Sequence, residues 1–279
     1  MESLIYANDQ NLRQLAGNCL LETDPLKKYE FIKEIEYVQN NTSFKIICDE
    51  DVFLDEDLVP GRPSKPVLVK PLDVKKRAMH TIEGRATAIH ALAHIEFNAI
   101  NLALDAVWRF PGMPESYYLD WLKVAYEEAK HFFLLNQHLN TLGYNYGDFP
   151  AHDSLWEMVE KTKDNILARM ALVPRTMEAR GLDAVPLIRA RFLQVKDFEM
   201  VKILDIILHD EIGHVEIGNK WFNFLCSSLN LDPIRTYSNL AKQYKAPSLR
   251  GPFNMEARRK AGFTDDELIE LTTIMAANS

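Results

Sequence analysis

A short carboxylate–histidine motif occurs twice in this chain and constrains its fold more than any other feature. Glu128 and His131 form one Glu-x-x-His pair, and Glu211 and His214 form a second. Each pair lies in a long stretch whose apolar residues recur at helical spacing. Residues three apart on a helix point to the same side, so each pair presents an oxygen and a nitrogen ligand to one point.

Two further glutamates stand alone in apolar stripes upstream of the pairs. Glu96 precedes the first pair, and Glu178 precedes the second. A buried unpaired carboxylate is costly, and a bound metal ion would remove that cost. The order Glu, Glu-x-x-His, Glu, Glu-x-x-His matches the ligands of dinuclear carboxylate centres in four-helix bundles. The sequence therefore predicts a site for two metal ions with six ligands: Glu96, Glu128, His131, Glu178, Glu211 and His214.

The alternative is that each glutamate pairs with a buried basic residue, for which Arg169, Arg175 and Arg180 are candidates. Four glutamate sites in the right order, with both histidines at the same offset, favour the metal. Carboxylates together with imidazole suit iron, manganese or a mixed pair better than copper. The pattern indicates no organic cofactor and leaves catalytic residues other than the ligands unidentified.

The predicted helices give an all-α protein in three parts. Residues 76–228 are predicted to form a four-helix bundle, with helices at about 76–108, 115–142, 154–180 and 187–228, the last with a bend near Asp197. Residues 1–75 are predicted to be an N-terminal extension packed on the bundle. It has helices at about 2–20 and 24–39, the second beginning at Asp24-Pro25, and two short runs of strand composition at 43–48 and 65–71. Residues 229–279 form a C-terminal tail that is a candidate lid.

Composition excludes several classes of protein. The 279 residues contain no apolar run long enough to span a membrane, and the N-terminus lacks the pattern of a secretory signal. Three scattered cysteines are typical of reduced thiols, so we expect a cytoplasmic protein. The net charge of -8 argues against general nucleic-acid binding. Two basic segments, 62–77 and 242–260, are either solubilising charge or contacts for an anionic substrate, for example a phosphate-bearing molecule or a tRNA loop.

A second set of polar residues follows the helix of Glu96. It comprises His90, His94, Asn98, Asn101 and Asp105. The sequence favours an exposed or tail-covered face for this stripe, and the alternative is the wall of a substrate channel. His138 is predicted to be a histidine at the edge of the core rather than a third ligand. Whether these histidines line a pocket stays open at this point.

Several segments resemble a family of bacterial ferritin-like proteins of unknown function. They are 90–96, 126–131, 174–183 and 210–214, with parts of the tail from 252 to 263. The resemblance covers most of the chain and implies a ferritin-like four-helix bundle with a di-metal, presumed di-iron, centre. It implies no established reaction, although the wider superfamily includes oxidases, oxygenases, peroxidases, a tRNA hydroxylase and iron stores.

The ligand chemistry leads to a functional hypothesis. A dinuclear centre would make this chain an oxidase or an oxygenase or hydroxylase, using dioxygen or peroxide and an unidentified electron donor on an unidentified, anionic substrate. The alternatives are iron storage or detoxification, and a scaffold with a structural metal. The long segments outside the bundle favour an enzyme, because a storage bundle needs no walls around a substrate. The oligomeric state is not predicted.

Overall fold

The computed structural model describes residues 11–41, 45–75 and 77–277, except for the side chains of 41 and 273–277. Within these ranges the regular structure is helical, which confirms the all-α prediction. Extended pairing there is limited to isolated bridges, Asn11 with Lys45 and Leu68 with Ala151. The described parts of 43–48 and 65–71 therefore form no strand, so that expectation is wrong, while residues 43 and 44 lie outside the described ranges. No helix of the described part is both long and apolar enough to cross a membrane.

The chain divides into two compact units, residues 1–153 and 154–279. The described part of the first unit contains four α-helices, which we number α1 (Leu12–Leu21), α2 (Pro25–Asn41), α3 (Ile82–Arg109) and α4 (Glu115–Thr141), and two short 3-10 turns. Helices α3 and α4 pack against each other along their length, and α1 and α2 pack on them. The Thr81 side chain caps α3 by accepting a hydrogen bond from the Gly84 amide at 2.9 Å.

Two buried basic residues hold the N-terminal helices in the first unit. Arg13 of α1 donates hydrogen bonds to the carbonyls of Val107 and Trp108, near the end of α3. Lys28 of α2 is fully buried, and its Nζ donates to the carbonyls of Leu20 and Gly61 at 3.2 Å each. Burial of these charges is compensated by carbonyl oxygens rather than by carboxylates.

The second unit contains seven helices and one π-helical segment. They are α5 (Ser154–Lys161), α6 (Ile166–Leu172), the π segment (Val173–Glu178), α7 (Ala179–Gln194), α8 (Phe198–Ser228), α9 (Pro233–Gln243), α10 (Met255–Lys260) and α11 (Asp265–Ala277). Helix α8 packs against α6, the π segment, α7, α9 and α10.

Two predicted helix boundaries of the second unit are wrong. The helix expected at 154–180 is interrupted at 162–165, and helical structure continues through Gly181 instead of ending there. The helix expected to start at 187 starts at 179, and the bend expected near Asp197 is confirmed as a break at 195–197. Lys196 has a left-handed backbone with φ of 59°, and the Asp197 side chain then accepts a hydrogen bond from Met200 N to begin α8.

Part of the C-terminal tail belongs to the interior of the second unit. Ala257 and Ala261 join a buried apolar cluster with Ala179, Leu182 and Val215. In the same tail segment, the Arg258 side chain is 1% exposed and forms a 2.6 Å ion pair with Asp183 of α7. The lid role of the tail stays a prediction, but this segment is packed as core.

Candidate metal centre

The first unit positions three of the six predicted ligands. Glu96 lies in α3, and Glu128 and His131 lie one turn apart in α4. All three side chains are buried. His131 Nδ1 lies 3.3 Å from Glu128 Oε2 and 3.6 Å from Glu96 Oε2. The i, i+3 spacing in α4 and the packing of α3 on α4 thus bring two carboxylates to one imidazole, as the sequence predicts.

Glu96 lies in surroundings that disfavour its ionised form. The pKa of its carboxyl is raised to about 8, first by burial and then by the neighbouring Glu128, while His131 opposes the shift. Its Oε2 atom is buried and makes no hydrogen bond among the described residues. A second carboxylate beside a buried carboxyl is unfavourable unless a positive charge lies between them. The donor set therefore suits a cation.

The second unit positions the other three predicted ligands. Glu211 and His214 lie one turn apart in α8, with His214 Nδ1 3.8 Å from Glu211 Oε2. Both are buried, and so is Glu178, the last residue of the π segment. Each of the six residues singled out from the sequence is therefore buried, although four of them are ionisable carboxylates.

The π segment that ends at Glu178 has identifiable causes. Pro174 has no amide hydrogen to donate, and the Thr176 hydroxyl donates to the Ala171 carbonyl at 2.8 Å. Gly218 of α8 lies against Pro174, because a Cβ atom on Gly218 would come within 2.6 Å of Pro174 Cβ. Single π turns inside α-helices are frequent at functional sites. Sequence periodicity contained no signal for this one.

Three buried side chains of the first unit could together hold a metal ion. Each offers one ligand atom, and these atoms all lie within 4.8 Å of one another; the residues are Glu96, Glu128 and His131. Glu178, Glu211 and His214 belong to the second unit. The convergence of all six residues on two ions stays a prediction.

The polar stripe of α3 is buried inside the first unit, so the expectation of an exposed face is wrong. His90 Nε2 accepts a hydrogen bond from the Gly147 amide at 2.9 Å, and His94 Nδ1 lies 2.8 Å from the Tyr146 hydroxyl. Asn98 Nδ2 lies 3.1 Å from His94 Nε2. Burial lowers the pKa of both histidines to about 4, so both are neutral at pH 7.

Tyr146 is a half-buried residue that sequence reasoning did not single out. Burial raises the pKa of its hydroxyl, and its ring packs edge-on against Phe132, the neighbour of His131, with 5.1 Å between ring centroids. The turn that carries it has glycines with positive φ at Gly143 and Gly147. Those glycines predict a turn, but they do not predict that Tyr146 packs against α3, because its contact with His94 joins residues that are distant in sequence.

Fold and site together define a helical protein with a buried carboxylate–histidine group. A model of the family described as "Protein of unknown function (DUF455)" matches residues 21–269. A relative from Haemophilus influenzae, described as an uncharacterized protein, is 46% identical over 264 residues, which cover 91% of each chain. The chain belongs to this DUF455 family. No solved structure matches the chain. The predicted membership of a family of unknown function is confirmed, while the ferritin-like, di-iron part of that prediction is not established by the match.

Proposed function

We propose that this chain is a ferritin-like, dinuclear metal carboxylate protein that acts as an oxidase or oxygenase. The observation that carries the proposal is the buried group of Glu96, Glu128 and His131 in the first unit, whose ligand atoms lie within 4.8 Å of one another. Glu211 of the second unit is the fourth proposed ligand. Two carboxylates and one imidazole carry an excess of negative charge when the carboxylates are ionised. Such a set is stable in a protein interior when a cation neutralises it.

Two of the three arginines that could have formed an ordinary polar network have another partner or position. Arg175 pairs with Glu267, and Arg180 is exposed. Arg169 donates from Nε to the Thr162 hydroxyl and from Nη2 to the Val159 carbonyl, and it stays the candidate for the network alternative.

Glu178 and His214 complete the proposed ligand set. Both are buried, and His214 is one helical turn from Glu211. Four carboxylates and two imidazoles suit two iron ions, two manganese ions or one of each. When bound, such ions would supply electron transfer to dioxygen or peroxide.

The protein's own residues would hold the ions and keep water away. Buried aromatic side chains adjoin the ligands in sequence, Phe97 beside Glu96 and Phe132 beside His131. Six ligand side chains need not saturate two six-coordinate ions, so small molecules would have access to them. We further propose an anionic organic or phosphate-bearing substrate, with a tRNA loop as its largest form, because the chain places basic residues in 62–77 and 242–260. An oxygenase that uses dioxygen would take two further electrons from an external donor, whereas an oxidase would take them from its substrate.

Metal analysis of paired histidine variants tests the proposal. Replacing both candidate ligands, His131→Ala with His214→Ala, should remove most of the iron or manganese that the wild-type protein binds. The matched control replaces two exposed histidines, His80→Ala with His209→Ala, and should keep the wild-type metal content. Elemental analysis after anaerobic loading with ferrous iron measures both. Equal metal content in the two double variants would contradict the metal site.

The same loaded samples separate the proposed activity from its alternatives. The ferrous wild-type protein should consume dioxygen or peroxide, whereas a structural metal would be inert to both. Iron storage would require a hollow assembly with a mass many times 32.1 kDa, which size-exclusion chromatography with light scattering would detect. A ferrous protein that reacts with neither dioxygen nor peroxide and does not form a large assembly would favour the scaffold alternative.

A further inference from the structure

A cavity of about 590 Å³ lies within the second unit, apart from the candidate metal ligands. Its walls come from α9, the segment after α9, α10, α11 and the π segment. Residues that define it are Arg175, Tyr237, Lys242, Lys245, Phe263 and Leu271. The volume is in the range of small-molecule sites in proteins. Sequence analysis noted the basic segment 242–260 but could not show that a cavity lies beside it.

The cavity carries a positive charge that the protein does not neutralise. Its two arginines are matched, Arg175 by Glu267 and Arg258 by Asp183. Lys242 and Lys245 form no ion pair with any described residue, and a single further carboxylate, Glu270, is present in the described lining. The lining therefore keeps a net positive charge.

A smaller adjoining cavity adds to this charge. It has a volume of about 360 Å³, shares Pro247 and Ser248 with the first, and is also lined by Arg180 and Arg250. Neither of these arginines forms an ion pair among the described residues. Four basic side chains thus surround the two cavities without a carboxylate partner in the described part of the chain.

Arg175 offers an unused donor at the wall of the larger cavity. Its side chain is buried, and its Nη1 donates to Asn219 Oδ1 at 3.0 Å. Its guanidinium carbon lies 4.8–5.3 Å from the ring centroids of Phe222, Tyr237 and Phe263. Its Nε is buried and has no hydrogen-bond partner among the described residues.

The remaining walls are apolar. They combine the rings of Tyr237 and Phe263 with aliphatic side chains of Ile234, Leu249 and Leu271. An inorganic anion would leave this surface without contacts, and a neutral hydrocarbon would leave the lysines without a partner. The ligand that matches both features has an apolar body and one anionic head.

We propose that this cavity binds a small organic anion with an apolar carbon body and a carboxylate or phosphate head. The head lies near Lys242 and Lys245, and the body packs between Tyr237, Phe263 and Leu271. The inference uses residues of the second unit alone and does not require a metal ion, so it can fail or succeed independently of the proposed oxidoreductase function.

Calorimetric titration of the full chain with four matched probes tests this site. The probes are octanoate, octyl phosphate, n-octanol and octylammonium. We expect one anion per chain to bind at least about tenfold more tightly than octanol, a difference of about 1.4 kcal/mol. The tighter of the two anions identifies the preferred head. Equal affinities for anion and alcohol, or several ligands per chain, would show unspecific apolar association and overturn the proposal.

Charge variants locate the binding. Lys242→Gln with Lys245→Gln should weaken octanoate or octyl phosphate binding about tenfold and leave octanol binding unchanged. The matched control, Lys161→Gln with Lys202→Gln, removes the same charge from exposed positions outside the cavity and should bind like wild type. Ala241→Trp, which places a bulky ring in the cavity, should weaken all binding, with circular dichroism confirming the fold. An unchanged anion affinity in the Lys242/Lys245 variant or in Ala241→Trp would refute the site.

Discussion

Among single residues, Glu96 shows most directly what the buried group requires. It is 3% exposed and shares its surroundings with Glu128, another buried carboxylate. Because burial raises its carboxyl pKa to about 8, ionising Glu96 in the metal-free protein lowers the free energy of unfolding. A bound cation would reverse that balance by favouring the ionised form. Stability and metal binding should therefore respond oppositely to the loss of this charge.

Glu96→Gln tests this opposition. The folded pKa is above the unfolded value, so the metal-free wild type loses stability as pH rises from about 4.5 to about 8. We expect the stability of metal-free Glu96→Gln not to fall over this pH range. At pH 9 this variant should be more stable than wild type by about 1 kcal/mol or more. Its metal content should nevertheless fall. Denaturant unfolding at pH 5 and pH 9, with elemental analysis, measures both quantities.

The control for this prediction is a glutamate of α4 that is adjacent in sequence to the candidate ligand Glu128. Glu127 is partly exposed and lies 3.8 Å from Lys123, so Glu127→Gln removes a solvated carboxylate instead of a buried one. It should leave metal content and the pH dependence of stability as in wild type. If Glu96→Gln and Glu127→Gln bind equal amounts of metal, Glu96 is not a ligand.

At the level of secondary-structure elements, the contact between α8 and the π segment controls where Glu178 lies. Gly218→Ala would place a Cβ atom 2.6 Å from Pro174 Cβ and 2.8 Å from its Cγ. The π segment would have to move, and overpacking of this kind costs about 1–3 kcal/mol. We expect a lower unfolding free energy and a lower metal content, measured by thermal unfolding and elemental analysis.

Gly213→Ala is the matched change in the same helix. It lies beside His214, yet a Cβ atom there would meet nothing within 4 Å. Replacing an interior helical glycine by alanine stabilises by about 0.5–1 kcal/mol, so this variant should be at least as stable as wild type with full metal content. A Gly218→Ala protein that behaves like Gly213→Ala would show that the close contact with Pro174 is unimportant.

The elements also show what the sequence could and could not predict. Helices α2 and α4 were predicted to within a few residues, because apolar periodicity and terminal signals such as Pro25 are local, whereas α3 starts six residues later than expected. The π segment packs against Gly218 of α8, and no local pattern contains that contact. The polar stripe of α3 was misjudged for the same reason, since Lys28 and Tyr146 reach it from distant parts of the chain.

The candidate site was more predictable than the fold around it. Helical spacing alone places Glu128 with His131 and Glu211 with His214, and a glutamate inside an apolar stripe identifies Glu96. Spacing carries no distances between helices, so it could not show that Glu96 of α3 lies beside His131 of α4. The half-buried Tyr146 and the unpartnered Arg175 Nε are likewise products of tertiary packing.

For the molecule as a whole, the packing of the C-terminal tail decides between a lid and a structural element. A lid covers a site and can be removed without destabilising the fold, whereas a segment of the core cannot. Ala257 and Ala261 are buried with Ala179 and Leu182, and the Arg258 guanidinium donates to the Ala179 carbonyl at 3.3 Å. These contacts are those of core, and they attach α10 to the helices that carry Glu178 and Glu211.

Truncation at two points of the tail tests this assignment. Deleting 246–279 would expose the apolar cluster and leave Asp183 buried without its Arg258 partner, so we expect the melting temperature to fall by about 5 °C or more. Metal content should fall with it, because three of the candidate ligands belong to the second unit. Deleting only 273–279 removes none of the cluster and should leave both quantities near wild type. A lid would give the opposite pattern: the longer deletion would keep its melting temperature and its metal, and lose turnover alone.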